Sequence, residues 1–278
     1  MILGAHVRRS GAGGAVQECR RRGAECAQIF LSNPRAWRAP RHAPGDGERF
    51  QAAWRGAGLG PLSVHAPYLV NTASTNPDFL ERSRELLATT IDACETFGAD
   101  LLVVHAGSGG AGTHPDIALV TAAESFRQAV ERARHVRIVV ELMAGTAGSV
   151  ASTVAEAARL LDAVGDDRLG VCLDTCHLFA TGYALDAPDG VDDLVVELTA
   201  HGLLARTDLV HANDSAFGRG ERRDRHAYLD SGRIGRAGWL ALVTSPLASV
   251  PWITETAGDL DRQRTDLSML RELATAPT

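Results

Sequence analysis

The sequence predicts an α/β fold, a (β/α)₈ barrel formed by a single domain over residues 1–278, and three observations favour it. Short apolar runs alternate with longer amphipathic stretches along the whole chain. Eight such runs are present, and eight β-α units in fewer than 300 residues fit a closed barrel better than a doubly wound sheet. No linker, repeat or low-complexity tract divides the sequence.

The predicted strands are the eight short apolar runs. In chain order they are residues 2–6, 26–31, 62–65, 101–105, 138–141, 171–174, 209–211 and 252–255. Because each is bounded by polar or turn-forming residues and followed by an amphipathic stretch, the pattern indicates parallel strands joined by helices.

The predicted helices lie between these runs. They cover residues 14–22, 77–97, 115–134, 152–164, 191–201 and 260–273, with a further helix near 237–244. Pro77 and Pro115 begin two of them, where the first turn of a helix tolerates proline. Thr153 and Glu156 resemble a capping box. The stretch 39–47 is rich in Ala, Pro and Arg, and we expect a long loop there.

The composition excludes several classes of enzyme. Apolar residues make up 45% and charged residues 22%, which is typical of a globular protein. All 28 basic residues other than histidine are arginines. Without lysine, no side-chain amine can form a Schiff base, and no Walker A phosphate site is possible. Residues 107–112, although rich in glycine, therefore predict a flexible loop.

The cysteines and the N-terminus indicate a reducing compartment. The five cysteines are odd in number and no pair has C-x-x-C spacing, so we expect free thiols. Cys172 and Cys176 flank Asp174, yet we interpret them as small buried hydrophobic residues rather than ligands or nucleophiles. We expect no signal peptide and no membrane partner, because no apolar run approaches the ~20 residues of a transmembrane helix. These features predict a cytoplasmic protein.

Residues that can bind metal stand at the ends of seven of the eight predicted strands. They are His6, His65, His105, Glu141, Asp174, His211 and Glu255. In a barrel the carboxyl ends of all strands meet at one mouth, where active sites are built. Imidazole and carboxylate ligands suit zinc, with manganese or iron as alternatives. The pattern therefore predicts a metal site at the mouth.

Two short motifs add ligands to this set. Asp174 is followed three residues later by His177, and Asp224 stands two residues before His226, where an extended segment would put both on one face. The candidate ligands are then His65, His105, Glu141, Asp174, His177, His211, Asp224, His226 and Glu255. One tetrahedral zinc needs about four ligands, so two or three metals sharing carboxylates would use them all. Such a cluster suits phosphoryl chemistry, and its positive charge would offset the net charge of −6.

These residues resemble those of the endonuclease IV family of abasic-site endonucleases, over nearly the whole chain. The segments that carry the resemblance are GAHV at 4–7, QIFLSNPRAW at 28–37, HAPYLVN at 65–71, GVCLDTCH at 170–177, HANDS at 211–215 and DRH at 224–226. The last three together are highly specific. The resemblance implies a zinc-dependent hydrolase that cuts double-stranded DNA on the 5′ side of an abasic site, leaving a 3′-hydroxyl and a 5′-deoxyribose phosphate.

The resemblance also implies roles for individual residues. Three zinc ions, with Mn²⁺ as a substitute, would be held by three ligand sets: His65, His105 and Glu141; Glu141, Asp174, His211 and Glu255; and His177, Asp224 and His226. Glu141 would bridge two metals, and Glu255 would orient or deprotonate the attacking water. The enzyme would act as a monomer.

The family flips the abasic nucleotide out of the helix, and the matching mouth residues here are Arg35, Tyr68 and Leu69. In the arginine-rich loop before His226 we expect Arg225 to contact phosphate. Trp37 either stacks on DNA or anchors its loop.

The chain departs from the family pattern at four positions. Leu142 and Met143 replace two polar residues after Glu141, Ala106 replaces a proline, and Asp230 replaces a glycine. We expect Asp230 to put a carboxylate near the approaching phosphate. These departures keep a second hypothesis open: a metal-dependent sugar isomerase or epimerase with one or two metals and a small polyol substrate.

Overall fold

Eight parallel strands close into a barrel in the computed structural model, which describes residues 1–256 and 258–276. The barrel strands are β1 (Leu3–His6), β2 (Cys26–Ile29), β3 (Leu62–His65), β4 (Leu101–His105), β5 (Arg137–Glu141), β6 (Leu169–Asp174), β7 (Thr207–His211) and β10 (Trp252–Thr254). Each strand pairs with its neighbour along the chain, and β1 pairs with both β2 and β10. The predicted fold class is confirmed.

Helices surround the barrel. They are α1 (Gly11–Arg22), α2 (Asp46–Gly56), α3 (Pro77–Phe97), α4 (Pro115–Arg132), α5 (Val154–Val164), α6 (Thr175–Thr181), α7 (Pro188–Ala200), α8 (Gly235–Thr244) and α9 (Leu260–Thr275). Short 3₁₀ turns cover Leu204–Arg206 and Pro246–Ser249. None of the described helices is long and apolar enough to cross a membrane.

The prediction of a loop over 39–47 is wrong at its end, because α2 begins at Asp46. This helix was missed because it follows Gly45, which is in the left-handed conformation and offers no side chain for capping. Its buried face consists mainly of Phe50 and Trp54, which is too short a pattern to stand out from the flanking Ala and Arg residues. The capping box of α5 is confirmed: Thr153 accepts from the backbone of Glu156, whose side chain reaches back.

Two further elements were missed because they are short. Helix α6 starts directly after β6, and the Asp174 side chain caps it by accepting from the backbone N–H of His177 at 2.9 Å. A small antiparallel pair joins β8 (Asp214–Ser215) to β9 (His226–Ala227). Both elements hold side chains over the barrel mouth, so they matter more for the site than for the core.

Apolar side chains fill both sides of the strands. The barrel interior holds Cys26, Leu101, Val103, Val139, Cys172, Leu209 and Ile253. All five cysteines are buried and free, in agreement with the prediction, and burial raises the pKa of Cys172 to about 12. Gly4 lies where β1 and β2 approach closely, because a Cβ there would lie 2.4 Å from the carbonyl oxygen of Cys26.

Candidate metal centre

The candidate ligands converge on the mouth of the barrel. Five of them end barrel strands: His65, His105, Glu141, Asp174 and His211. Glu255 follows β10 by one residue, whereas His177 comes from α6, His226 from β9 and Asp224 from the loop just before it. The structure therefore brings together residues that are up to 190 positions apart in the sequence, counting from 65 to 255.

The first group of ligand atoms surrounds one oxygen of Glu141. Its Oε2 lies 3.0 Å from Nε2 of His65 and 3.3 Å from Nε2 of His105. Its other oxygen faces two further imidazoles, with Nδ1 of His211 at 3.3 Å and Nδ1 of His177 at 3.4 Å. Glu141 is 1% exposed. One buried carboxylate thus contacts ligand candidates on both sides, as a bridging ligand must.

The second group shares Glu141 with the first. Glu141, Asp174, His211 and Glu255 each offer one ligand atom, and these atoms all lie within 4.8 Å of one another. Nδ1 of His211 lies 3.3 Å from Oε2 of Glu255 and 3.9 Å from Oδ2 of Asp174.

The third group lies under the arginine-rich loop. Asp224 places one oxygen 3.3 Å from Nε2 of His177 and the other 3.3 Å from Nε2 of His226. Nε2 of His226 also lies 3.5 Å from Oδ2 of Asp174, so this group adjoins the second. Cys176 Sγ is within 4.8 Å of ligand atoms of Asp224 and His226. Cys176 is fully buried, and its interpretation as a packing residue stays a prediction.

Hydrogen bonds fix which nitrogen of each imidazole faces the centre. Nδ1 of His65 lies 2.6 Å from the carbonyl oxygen of Ala66, and Nδ1 of His177 lies 2.8 Å from that of Leu142. A carbonyl oxygen can only accept, so both Nδ1 atoms carry the proton. The Nε2 lone pairs are therefore left facing the carboxylates, which is the arrangement of a metal-binding imidazole.

Unpaired nitrogens support a fit to metal ions. Nε2 of His177, Nδ1 of His211 and Nε2 of His226 are buried and have no hydrogen-bond partner among the described residues. Leaving a buried polar atom unpaired costs about 1–3 kcal/mol, so three at one place call for an explanation. Divalent cations between these nitrogens and the neighbouring carboxylates would provide one, and the donor set of imidazoles and carboxylates suits zinc.

The electrostatics keep the carboxylates ionised. Burial alone would raise the pKa of Glu255, but His211 and His6 outweigh it and hold the pKa well below its usual value. Burial also opposes ionisation of Asp224, and the neighbouring imidazoles of His177 and His226 lower its pKa strongly. Anionic oxygens that stay ionised near neutral pH are what cation binding requires.

Two amide side chains that the sequence analysis did not single out support this centre. Gln28 accepts from Nε2 of His211 at 2.9 Å and donates to Oε1 of Glu255 at 2.6 Å. Asn213 donates to Oδ2 of Asp174 at 2.7 Å and to Oε2 of Glu255 at 3.0 Å. The sequence signal available for Gln28 was a polar glutamine within the apolar run 26–31. Asn213 could be noticed only from its position two residues after His211.

Asp214 lies outside the three ligand groups and joins segments of the barrel mouth through hydrogen bonds. It is fully buried and accepts from the backbone N–H groups of Ser215 and Ile234 and from Nε1 of Trp239, at 2.7 to 2.8 Å. Gly232 is required beside it, because a Cβ there would lie 2.1 Å from the Asp214 carboxylate.

The expected DNA-contacting residues lie on the rim. Arg35 and Arg225 are exposed, Tyr68 is 49% exposed and Leu69 is half-buried. The ring of Tyr68 lies 5.4 Å from that of His65, so it borders the first ligand group. Its backbone N–H donates to the carbonyl oxygen of Pro34 at 3.0 Å, which ties the two rim loops together.

The structure shows what surrounds Trp37 and Asp230, two residues whose roles the sequence left open. The Trp37 ring packs 6.2 Å from that of Phe79 and beneath the guanidinium of Arg82, which favours the anchoring interpretation. Asp230 does not present a free charge, because its Oδ1 lies 2.5 Å from the guanidinium of Arg262. The expectation that Asp230 puts a carboxylate near an approaching phosphate stays a prediction, with the guanidinium of Arg262 beside that carboxylate.

Comparison with known proteins agrees with this geometry. The family model described as a Xylose isomerase-like TIM barrel matches residues 16–273. Probable endonuclease 4 of Methanoculleus marisnigri is 36% identical over 283 residues, which cover 99% of this chain and 100% of that protein. Endonuclease IV of Thermus thermophilus is 33% identical, covers 98% of both chains and superposes with a TM-score of 0.86. A D-tagatose 3-epimerase-like protein reaches 0.76 at only 17% identity, with 98% of this chain and 97% of that one covered, which is a likeness of fold alone. This chain belongs to the endonuclease IV family.

Proposed function

We propose that this chain is a metal-dependent deoxyribonuclease of base excision repair. It hydrolyses the phosphodiester bond on the 5′ side of an abasic site in double-stranded DNA, leaving a 3′-hydroxyl and a 5′-deoxyribose phosphate. The observation that carries the proposal is the sharing of carboxylates between ligand groups. Glu141 belongs to the first and second groups, and Asp174 adjoins the second and third. A chain of adjoining cation sites is suited to a phosphate group whose several oxygens need compensation at once.

We infer zinc as the metal and three ions per chain, with manganese as a substitute. His65, His105 and Glu141 would hold one ion, Glu141, Asp174, His211 and Glu255 a second, and His177, Asp224 and His226 a third. Bound divalent ions would polarise phosphoryl oxygens and lower the pKa of water, which is the chemistry that hydrolysis at neutral pH needs.

The protein side chains position the reactants. Gln28 and Asn213 each donate to one oxygen of Glu255, which fixes the orientation of that carboxylate. A fixed carboxylate next to the reacting phosphate can accept a proton from the attacking water. Burial, aided by Glu255 and Glu141, raises the pKa of Tyr68 to about 12, so its hydroxyl stays protonated and can donate to the substrate.

The space beside the ligands suits an extruded nucleotide. A cavity of about 730 Å³ is bordered by His6, Phe30, Tyr68, His226 and Glu255. Extrusion is inexpensive at an abasic site because no base has to be unstacked. Arg35, Tyr68 and Leu69 on the adjoining rim would fill the gap left in the duplex.

The test is incision of a duplex that carries one chemically reduced abasic site, which cannot undergo β-elimination. We expect a single cut on the 5′ side, lost on chelation and absent from the same duplex without the site. A protein shown to hold its metals that leaves this duplex intact would contradict the proposal. In that case the sugar isomerase or epimerase hypothesis would take its place, and a screen of sugars would follow.

A further inference from the structure

Two consecutive arginines in the loop between β1 and α1 have different surroundings. The guanidinium of Arg9 lies 4.6 Å from the ring centroid of Phe97, which anchors the loop on the buried face of α3. Arg8 is exposed instead and lines the cavity that also borders His226 and Glu255. The loop thus fixes one arginine in the protein and presents the next to the space beside the metal centre.

The backbone of this loop is held in place. Val7 is 2% exposed, and its N–H donates to the carbonyl oxygen of Gln28 at 2.8 Å. Arg8 stands between this hydrogen bond and the stacked Arg9, so the loop is anchored on both sides of it. Binding through such a side chain loses less conformational entropy than binding through a mobile loop.

The charges around the cavity single out Arg8. The other arginine in the lining, Arg22, places one guanidinium nitrogen 2.6 Å from Oε2 of Glu18 and another 2.7 Å from Oε1 of Gln263. Glu18 is thereby compensated as well, and the pKa of its carboxyl is lowered mainly by the hydrogen bond from Arg22. Across residues 1–256 and 258–276, no carboxylate oxygen lies within 4.0 Å of the Arg8 guanidinium.

We propose that Arg8 binds a backbone phosphate next to the one at the metal centre. The contact rests on the proposed function, because it needs a DNA strand whose scissile phosphate sits at the ligand groups. A strand that reaches Glu255 has to continue past it, and the cavity leads from there to Arg8. A guanidinium matches two phosphate oxygens at once, and the two carboxylates of this lining, Glu18 and Glu255, lie more than 4.0 Å from that of Arg8.

The test compares three variants of the metal-loaded enzyme on the duplex with a reduced abasic site, at salt concentrations from about 50 to about 200 mM. Arg8→Ala removes the contact and Arg8→Lys keeps the charge without the bidentate geometry. Arg134→Ala is the matched control, because it removes one exposed arginine from the turn before β5, at the opposite end of the barrel.

We expect Arg8→Ala to raise KM about three- to tenfold with kcat nearly unchanged. The plot of log(kcat/KM) against log salt should become less steep by about 0.9, the value for one phosphate contact on duplex DNA. Arg8→Lys should keep the wild-type slope with an intermediate KM, and Arg134→Ala should match the wild type in both.

The two proposals fail in different ways. If the wild-type enzyme cuts the duplex and Arg8→Ala keeps its KM and its salt slope, the Arg8 contact is wrong and the proposed function stands. If Arg134→Ala changes the slope as much as Arg8→Ala does, the effect is one of net charge and the contact is also wrong. If the metal-loaded wild type leaves the duplex uncut, both proposals are overturned.

Discussion

The side-chain oxygen of Gln28 accepts a hydrogen bond of 2.9 Å from Nε2 of His211, across the barrel from β2 to β7. Because an amide oxygen can only accept, Nε2 of this imidazole carries the proton and Nδ1 keeps its lone pair. Nδ1 is the nitrogen that faces Glu141 and Glu255. Gln28, an uncharged residue in the barrel interior, thus determines which nitrogen of His211 can bind a metal.

Replacing Gln28 should weaken metal binding without unfolding the barrel. Gln28→Met keeps the length of the side chain but removes its three hydrogen bonds, to His6, Glu255 and His211. The His211 ring and one oxygen of Glu255 are then free to move. Loss of such a supporting partner typically costs 10- to 100-fold in metal affinity, and we expect about that loss in competition with a zinc chelator. Gln17→Met on the exposed face of α1 is the control and should keep wild-type affinity. Equal affinities for the two variants would mean that the amide does not orient the ligand.

Glu255→Gln should separate metal binding from incision. The variant keeps an oxygen for the metal, but its new amide group would face the donors of Gln28 or Asn213. We expect zinc content close to that of the wild type and incision slower by several orders of magnitude, as measured in a single turnover. Glu131→Gln on the exposed face of α4 should cut normally. Near-normal cutting by Glu255→Gln would mean that the carboxylate of Glu255 has no catalytic role.

The ion pair between Asp230 and Arg262 should make one part of the rim electrically neutral. Both side chains are about 40% exposed, so the pair is worth little for stability but matters for an approaching phosphate. Arg262→Ala leaves the carboxylate unpaired and should weaken binding of abasic DNA, whereas Asp230→Gly frees the guanidinium and should tighten it. Affinities are compared in the Glu255→Gln background, which does not cut. If neither variant shifts the affinity at low salt, this pair lies outside the DNA footprint.

Asp266 should make the stability of the protein depend on pH. This carboxyl in α9 is 1% exposed and accepts from the backbone N–H of Leu229 and from Oγ1 of Thr256, and burial raises its pKa to about 6. The folded state therefore holds its proton more tightly than the unfolded chain, whose pKa is about 3.9. The stabilisation that Asp266 provides is present at low pH, where the carboxyl group is protonated, and is lost as the pH rises from about 4 to about 6.

Asp266→Asn should abolish that loss. Between pH 4 and pH 7 the difference in unfolding free energy between the variant and the wild type should change by about 1–3 kcal/mol, in favour of the variant. Urea titrations at a series of pH values measure it, and taking the difference cancels titrations common to both proteins. Asp162→Asn, at an exposed position of α5, should show no such trend. A difference for Asp266→Asn that does not vary with pH would mean that the carboxyl ionises normally in the fold.

The sequence predicted the strands well because barrel strands are buried on both faces. Runs such as 101–105 are continuous apolar stretches, and the ligand candidates that end seven of the eight runs fall at the mouth once the barrel closes. Helices α3 and α4 were found from Pro77 and Pro115, which lie in their first turns. Strands and helices with such a local sequence pattern could therefore be predicted from the pattern alone.

Other features depend on contacts between distant residues and could not be read locally. The orientation of His211 depends on Gln28, which is 183 positions away. The ion pair of Asp230 depends on Arg262, which comes from a different element. Asp174 both caps α6 and faces His226, and the cap ends the strand so abruptly that no periodic pattern marks the helix.

Zinc titration of metal-free protein, with metal content and incision of the abasic duplex followed together, measures whether the three adjoining ligand groups form one hydrolytic centre. We predict binding of three zinc ions per chain, with full incision only when the third group, His177, Asp224 and His226, is filled. Saturation at one or two ions, or three bound ions without cutting of the duplex, would mean that the three ligand groups do not form one hydrolytic centre.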